Sequence, residues 1–428
     1  MLRDAAAVST ILVLSMAAVV SVQTPVPTER VTFDEAIKRA IEKNPSSAIA
    51  AAGILRAEAL LTEARSAARL QVNGSAVTTT LNRGVEFDGA TVTPRNQVNA
   101  SLDVRYPLFA PATWARRTQA EDNKQVSELN VAEVKRQTAF ATADAYLMII
   151  ARRRAVVTGE TARDVAGAHF ELARQLEQAG TGSRLNMLRA QQEFSIDESL
   201  VEATRLALYR AQEALGVLLA ADGPVDAADE PAFTIPADVP GASGAIPALA
   251  DWRPDLRLFA AEQRAAERVL NDSSKDAWPF LDAVFQPSTT YPSPFFLPQN
   301  SWRFLLQLSV PIYDSGQRRG LRMERQSVFD VSRATLANGV TMASSEVRAA
   351  REAIASAGRA LTSTRAAADQ ARQVVDIVNV SFRAGAATNI EVIDAERRAR
   401  DADLAVVIAE DTLRRGRLEL LTALGKFP

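Results

Sequence analysis

The chain has 428 residues, with 49 Lys and Arg against 51 Asp and Glu, for a net charge of -2. With no excess cation to neutralise phosphates, it is not composed as a nucleic-acid binder. One His and no Cys exclude disulfides, thiolate metal sites and a lipidated N-terminal Cys, and argue against a metal enzyme. Aromatics are 6% and charged residues 23%, and Ala is abundant, a composition that leans towards long helices.

Arg3 precedes an apolar run from Ala5 to Val20, and Val19-Val20-Ser21 offers modest side chains at a cleavage point. Residues 1–21 read as a secretory signal peptide; the rival, an uncleaved anchor helix, needs a longer run. No later stretch reaches the ~18 apolar residues of a membrane helix. The mature chain is therefore expected to be exported, and any membrane span must be a β-barrel.

Thr32-Phe33-Asp34-Glu35 forms a capping-box pattern. It opens a helix that runs to about Ala68 and is broken or kinked at Pro45. Strands follow at about 70–81 and 97–107, separated by a loop over Asn82–Asn96. Within Gln97–Tyr106, Val98, Ala100, Leu102, Val104 and Tyr106 point one way, and Gln97, Asn99, Ser101, Asp103 and Arg105 the other. A helical pattern from Thr113 to Gln178 would extend roughly 100 Å at 1.5 Å per residue. A turn at Gly180–Ser183 reverses the chain into a helix over 184–220. Asp222–Pro247 is rich in Pro, Gly, Ala and Asp and reads as a loop-rich connector. The second half has a helix near Leu256–Lys275, strands at about 278–289 and 301–312 joined across Ser288–Asn300, and a helix over 316–383. A turn at Gly385–Thr388 and a helix to about Leu424 complete it. In its second strand Trp302, Phe304, Leu306, Leu308, Val310 and Ile312 oppose Ser301, Arg303, Gln307 and Ser309, with Leu305 the exception.

The two halves are copies. Ala179-Gly180-Thr181-Gly182-Ser183-Arg184 and Ala384-Gly385-Ala386-Ala387-Thr388-Asn389 lie about 205 residues apart. Tyr106-Pro107-Leu108 matches Val310-Pro311-Ile312, Asn44-Pro45 matches Arg253-Pro254, and Ala214-Leu215-Gly216 matches Ala423-Leu424-Gly425. This divides the chain into repeat 1 (22–221), the connector or equatorial region (222–247) and repeat 2 (248–428).

Strands of ~10 residues with one polar face fit a wall between lipid and water, though a half-buried soluble sheet shows the same alternation. Aromatics near the strand ends, Tyr106, Phe109, Trp278 and Trp302, resemble interfacial girdles. Four strands cannot close a barrel, because about eight is the minimum. Two copies would give eight strands, too narrow for a channel, and three would give twelve. A ~100 Å helix must pack along other helices, and the shorter helices of each repeat, stacked end to end, match its length.

The two repeats, the leader and the motif Ala-Gly-x-x-Thr-x-Ile-x-Val-Ile-Asp-Ala at 384–395 resemble the TolC family of outer-membrane efflux and secretion channels over about residues 30–428. The resemblance implies an α+β membrane protein. Its homotrimer would form a 12-stranded outer-membrane β-barrel, four strands per chain, continuous with a periplasmic coiled-coil barrel of twelve helices. It further implies a passive exit duct in outer-membrane lipid, served by a periplasmic adaptor (membrane fusion) protein and an inner-membrane transporter, for small molecules or proteins.

Glu391 and Asp394 share a helix face, and in the family acids at these positions ring the narrow periplasmic end. Thr388-x-x-Glu391 is also a capping box, which explains Glu391 without any pore. Asn186 and Arg189 occupy the matching positions of repeat 1, so an Arg189–Asp394 pair between tips is an option. Ala387 stands where the family commonly has an arginine that locks the closed state. Gly180, Ser183, Gly385 and Thr388 build the tip turns, where the family meets its adaptor. Asp103, Arg105 and Arg303 would face the barrel lumen. His169 reads as a packing or surface residue. No nucleophile–base set or phosphate loop is present, so no enzyme activity, cofactor or metal is expected. The alternative reading is a periplasmic structural coiled-coil protein with an ordinary soluble sheet.

Overall fold

The computed structural model describes residues 28–88, 90–235 and 253–427. The expected signal peptide and residues 236–247 of the connector lie outside them. In chain order the elements are β1 (Glu29–Val31), α1 (Phe33–Lys43), α2 (Pro45–Ala67), β2 (Gln71–Thr80), β3 (Val85–Phe87), β4 (Ala90–Thr93), β5 (Asn96–Phe109), α3 (Pro111–Gln178), α4 (Arg184–Leu218) and β6 (Val225–Ala227). There follow α5 (Pro254–Asn271), a 3-10 turn (Asp272–Ala277), β7 (Phe280–Tyr291), β8 (Asn300–Ser309), α6 (Gln317–Arg383) and α7 (Asn389–Ala423).

Helix α3 has 68 residues and α6 has 67, each roughly 100 Å long. Helix α3 changes neighbours along its length, while the buried residues of α6 keep to one stripe, Ala343, Val347, Ala350, Ala357, Leu361 and Ala368. Alongside α3 lie α2 and α4, of 23 and 35 residues, stacked end to end. The joint between them is chemical. Asn44 caps α2 by accepting from Ser46 N at 2.9 Å, and its Nδ2 donates to the terminal carbonyl of Leu218 in α4 at 2.9 Å. Repeat 2 makes the same joint with a different side chain: Arg253, before Pro254, donates from Nη1 to Ala423 O at 3.3 Å. Pro45 and Pro254 each open a helix at the first position, where the missing N–H costs nothing.

The equatorial core gathers around Tyr146, Leu147, Ile149 and Ile150 of α3. Phe33, Ala36, Ile37 and Ala40 are the buried stripe of α1 and pack onto it. The ring of Phe33 meets Tyr146 edge-on at 5.4 Å. The Tyr146 hydroxyl lies 3.1 Å from Val31 O, touches the Asp229 carboxylate and accepts from Asp229 N at 3.1 Å. Asp229 also accepts from Phe33 N at 2.9 Å, so it caps α1 from the far side of the connector. Thr32 accepts from Glu35 N at 3.4 Å, a weaker cap than the sequence pattern promised.

Three features differ from the sequence reading. The connector is not all loop: β6 pairs in parallel with β1, Glu29 opposite Val225. Three-residue strands are too short to show alternation. The loop over 82–96 contains the β3–β4 hairpin. The match of Leu215-Gly216 to Leu424-Gly425 is one helical turn out of place. The left-handed residue after α4 is Ala220, φ 51°, and it corresponds to Gly425, φ 69°. Gly216 lies inside α4, where an added Cβ would come within 2.4 Å of Gly223 O.

Replacing Tyr146 with Phe removes the hydroxyl that links α3 to Val31 O and Asp229, at a cost of about 0.5–1.5 kcal/mol. The expected result is a lower thermal midpoint of the detergent-solubilised protein by circular dichroism, with unchanged helix content.

Candidate functional site: the two-faced sheet and the helix tips

Strands β2, β5, β7 and β8 form one antiparallel sheet in that order, so β2 and β8 are its edges. Register decides what each face carries. Ser75 lies opposite Ser101, Ser101 opposite Ser288, and Ser288 opposite Ser301, a row of hydroxyls across all four strands. Two links in this row are hydrogen bonds, Ser75–Ser101 at 2.8 Å and Ser288–Ser301 at 3.0 Å. The same face carries Asn99, which donates to Thr290 Oγ1 at 2.8 Å. Asp103 accepts from Gln286, whose Oε1 in turn accepts from Arg303 Nε at 2.5 Å. Arg105 reaches the buried Asp282 at 3.9 Å. Asp103, Arg105 and Arg303 thus lie on one polar face with both signs of charge interleaved. Leu305, the sequence exception, sits on this face opposite Val284, which is buried.

The other face is apolar and open. Trp302 is 71% exposed, Phe304 57% and Leu308 63%, and Leu102 and Tyr106 continue the band on β5. At the helix-bearing end Phe109 stacks on Trp278 at 6.2 Å and meets Trp114 edge-on at 5.8 Å. Pro107 has no N–H to give the ladder, and the β5 register shifts between Pro107 and Phe109. Strand β8 stops at Ser309, short of the expected 312, just before Pro311.

At the opposite end of the molecule the two tip turns are alike. Gly180 and Gly385 take φ of 74° and 75°, the left-handed residues that end α3 and α6. Ser183 accepts from Asn186 N at 3.2 Å to start α4. Thr388 starts α7 with a complete capping box, in which Glu391 Oε2 accepts from Thr388 N at 2.6 Å and Oγ1 at 2.8 Å. The Thr388 N–H holds the Glu391 carboxyl below its usual range, so the cap and a fixed negative charge coexist. Asp394 is exposed and pairs with Arg398 in its own helix at 2.9 Å. The Arg189–Asp394 pair is not formed within one chain, because a partner one turn away is nearer.

Two tip features escaped the sequence reading. His169 is buried, 5% exposed, and its Nε2 lies 2.8 Å from Asn389 Oδ1. Asn389 Nδ2 donates onward to Asn186 O at 3.3 Å, tying α3, α7 and α4 together. Burial lowers the His169 pKa, so the neutral ring fills this place. Above this tie lies a buried ion network. Arg397 Nε donates to Glu193 at 2.7 Å, and Arg400 Nη1 to Asp197 at 2.5 Å. Glu396 adds a third carboxyl, and its Oε2 is buried without a hydrogen-bond partner. Burial, then the charges of Glu193 and Asp197, push the Glu396 pKa up to about 7. The one available signal was the similar distance of Glu193 from Gly180 and of Arg397 from Gly385.

Residues 246–426 match the family model for outer membrane efflux protein. No curated protein sequence matches the chain. Solved structures share its fold. A membrane protein of Pseudomonas aeruginosa is 18% identical with a TM-score of 0.81, over 93% of this chain and 91% of that one. The outer membrane protein VceC of Vibrio cholerae is 17% identical, TM-score 0.77, over 92% and 96%. The CmeC outer membrane channel of Campylobacter jejuni is 14% identical, TM-score 0.80, over 92% and 86%. Two-faced sheet, paired ~100 Å helices and the matched repeat together define an outer-membrane channel protein with a helical periplasmic extension. The match to the outer membrane efflux protein model covers residues 246–426, and the likeness to the solved outer membrane proteins extends over nearly the whole chain.

Because the folded Glu396 binds its proton more tightly than an unfolded glutamate, its contribution to stability is full below the unfolded value near ~4.3 and lost as pH rises through about 7. The substitution Glu396→Gln is expected to flatten that part of the thermal-stability profile, measured from pH 5 to 8. An unchanged slope would detach Glu396 from it.

Proposed function

We propose that three copies of this chain form an outer-membrane exit duct, which passively conducts cargo handed over by a periplasmic adaptor and an inner-membrane transporter. The observation that carries the reading is the sheet: one face apolar and exposed, the other polar, and both edges open. Lipid does not tolerate unpaired backbone donors and acceptors, so β2 and β8 must meet strands of other copies. Four strands from each of three chains close into twelve, and the polar faces then line the lumen. The soluble-sheet alternative would leave Trp302, Phe304, Leu306 and Leu308 facing water together.

The lumen wall is close to neutral overall, with Asp103 and Arg303 linked through Gln286. Charge selectivity is therefore assigned to the tips. Glu391 and Asp394 are exposed at the start of α7, and three chains would place six carboxylates near one opening. Asn186 and Arg189 stand at the matching place on α4. The tip turns Gly180–Ser183 and Gly385–Thr388 are the proposed adaptor contact, because they are the outermost residues of both helical hairpins. With Ala387 at the usual arginine position, closure would rest on other contacts.

Reconstitution in planar bilayers is expected to give single channels, and non-denaturing gels a heat-modifiable trimer. A protein that fractionates as a soluble monomer would overturn the reading. Glu391→Ala with Asp394→Ala should lower cation preference and relieve block by multivalent cations. If both properties persist, these carboxylates do not line the constriction.

A further inference from the structure

The duplication carries more information than two similar halves, because it specifies how one copy of the chain joins the next. Two shifts relate the repeats: one carries Pro45 to Pro254, the other Pro107 to Pro311. None of these prolines lies in the β2–β5 or β7–β8 ladder pairs. Applied to the repeat-1 hairpin, the first shift carries Gln71 to Phe280 and the second carries Arg105 to Ser309. Gln71 pairs with Arg105, and Phe280 pairs with Ser309. The agreement continues along the ladder to its far end, where Thr80–Asn96 becomes Thr289–Asn300. The shifts therefore transfer strand register between repeats without slippage.

The chain also contains one joint between repeats, β5 against β7, with Arg105 opposite Val284 and Val104 opposite Phe285. Carried forward, β5 becomes β8. Strand β7 has no later copy among the described residues, and its counterpart is β2, the other open edge. We infer that β8 pairs with β2 of a second copy in the register of the internal joint, placing Ser309 opposite Ser75 of the partner subunit and Gln307 opposite Val77 of the partner subunit. The inference rests on the trimeric duct proposed above and adds to it the register at the subunit joint.

Two independent facts agree with it. Ser309 and Ser75 both belong to the polar face of the sheet, as do Gln307 and Val77, so this register continues the lumen wall and the lipid band unbroken. A slip of one residue would turn every side chain to the wrong side. The helices below are complementary too. In the internal joint, Gln119 of α3 donates to Asp272 beside α5 at 3.0 Å. The same shifts carry Asp272 to Glu63 and Gln119 to Met323, which is flanked on α6 by Arg319 and Arg322. All three charged residues are exposed, and none makes an ion pair within the chain among the described residues. Arg319 and Arg322 thus face the level of the partner subunit's Glu63.

The absence of cysteine makes the test direct. Opposed residues of an antiparallel pair hold their Cα atoms ~4.5–5.5 Å apart, within disulfide reach. The full-length protein carrying Ser75→Cys with Ser309→Cys, or Val77→Cys with Gln307→Cys, is expected to give covalent trimers on oxidation, resolved on non-reducing gels. The slipped pairs, Ser75→Cys with Gln307→Cys and Val77→Cys with Ser309→Cys, keep both thiols on the polar face and are expected to stay largely uncrosslinked. Preferential cross-linking of a slipped pair overturns the register. So does a trimer, verified by native mass spectrometry, in which neither expected pair links. A monomer by the same measurement overturns the duct reading itself. As a second arm, Glu63→Arg should weaken the trimer, and adding Arg322→Glu should restore it; failure of the rescue in a trimer with the expected cross-links overturns the helical half of the inference.

Discussion

Everything in this molecule follows from the requirement that no backbone hydrogen-bonding group be left unpaired in hydrocarbon. A four-stranded sheet with one apolar face and two open edges cannot satisfy that rule alone. In the proposed duct closure comes from other copies, which would set the polar face inward and the aromatic side chains outward. The helices inherit the geometry. Pairs that leave the sheet side by side must continue side by side, so α2, α3, α5 and α6 descend as neighbours in the order of the strands to which they connect.

Away from the sheet, stability comes from two kinds of contact. The equatorial core is an ordinary close-packed cluster, in which Tyr146 and Asp229 bind α1, α3 and the connector into one unit. The tips instead use buried charge: Glu193, Asp197, Arg397 and Arg400 cross-link α4 and α7, while His169 and Asn389 tie both to α3. A buried ion network is a modest source of net stability, since desolvation offsets much of the attraction. Its partners must remain paired, however, and this makes the tip sensitive to the protonation of Glu396.

Duplication explains why such a molecule can be encoded economically. The same hydrogen-bond logic recurs with altered side chains: Asn44 and Arg253 close the two helix joints onto Leu218 and Ala423, and Ser183 and Thr388 start the returning helices. Where the copies diverge, the difference is one of charge. Glu391 and Asp394 in repeat 2 stand where repeat 1 has Asn186 and Arg189, so the two tips of the chain differ in polarity.

Much of this was legible in the amino-acid order. Period-two alternation over Gln97–Tyr106 and 301–309, unbroken helical spacing over 113–178, the glycines at 180 and 385 and the Thr388–Glu391 box are local signals, because each depends on neighbours a few residues away. The β1–β6 pairing, the Asp229 cap on Phe33, the serine row and the Glu193–Arg397 network were not. Each joins residues that lie far apart in the chain, and β1 and β6 are too short to announce themselves. Sequence alone therefore indicated the long helices, the four long strands and the sidedness of β5 and β8. Only the tertiary structure decided which polar groups meet across the sheet and at the tips, because register and helix packing are set by long-range contacts that no local pattern encodes.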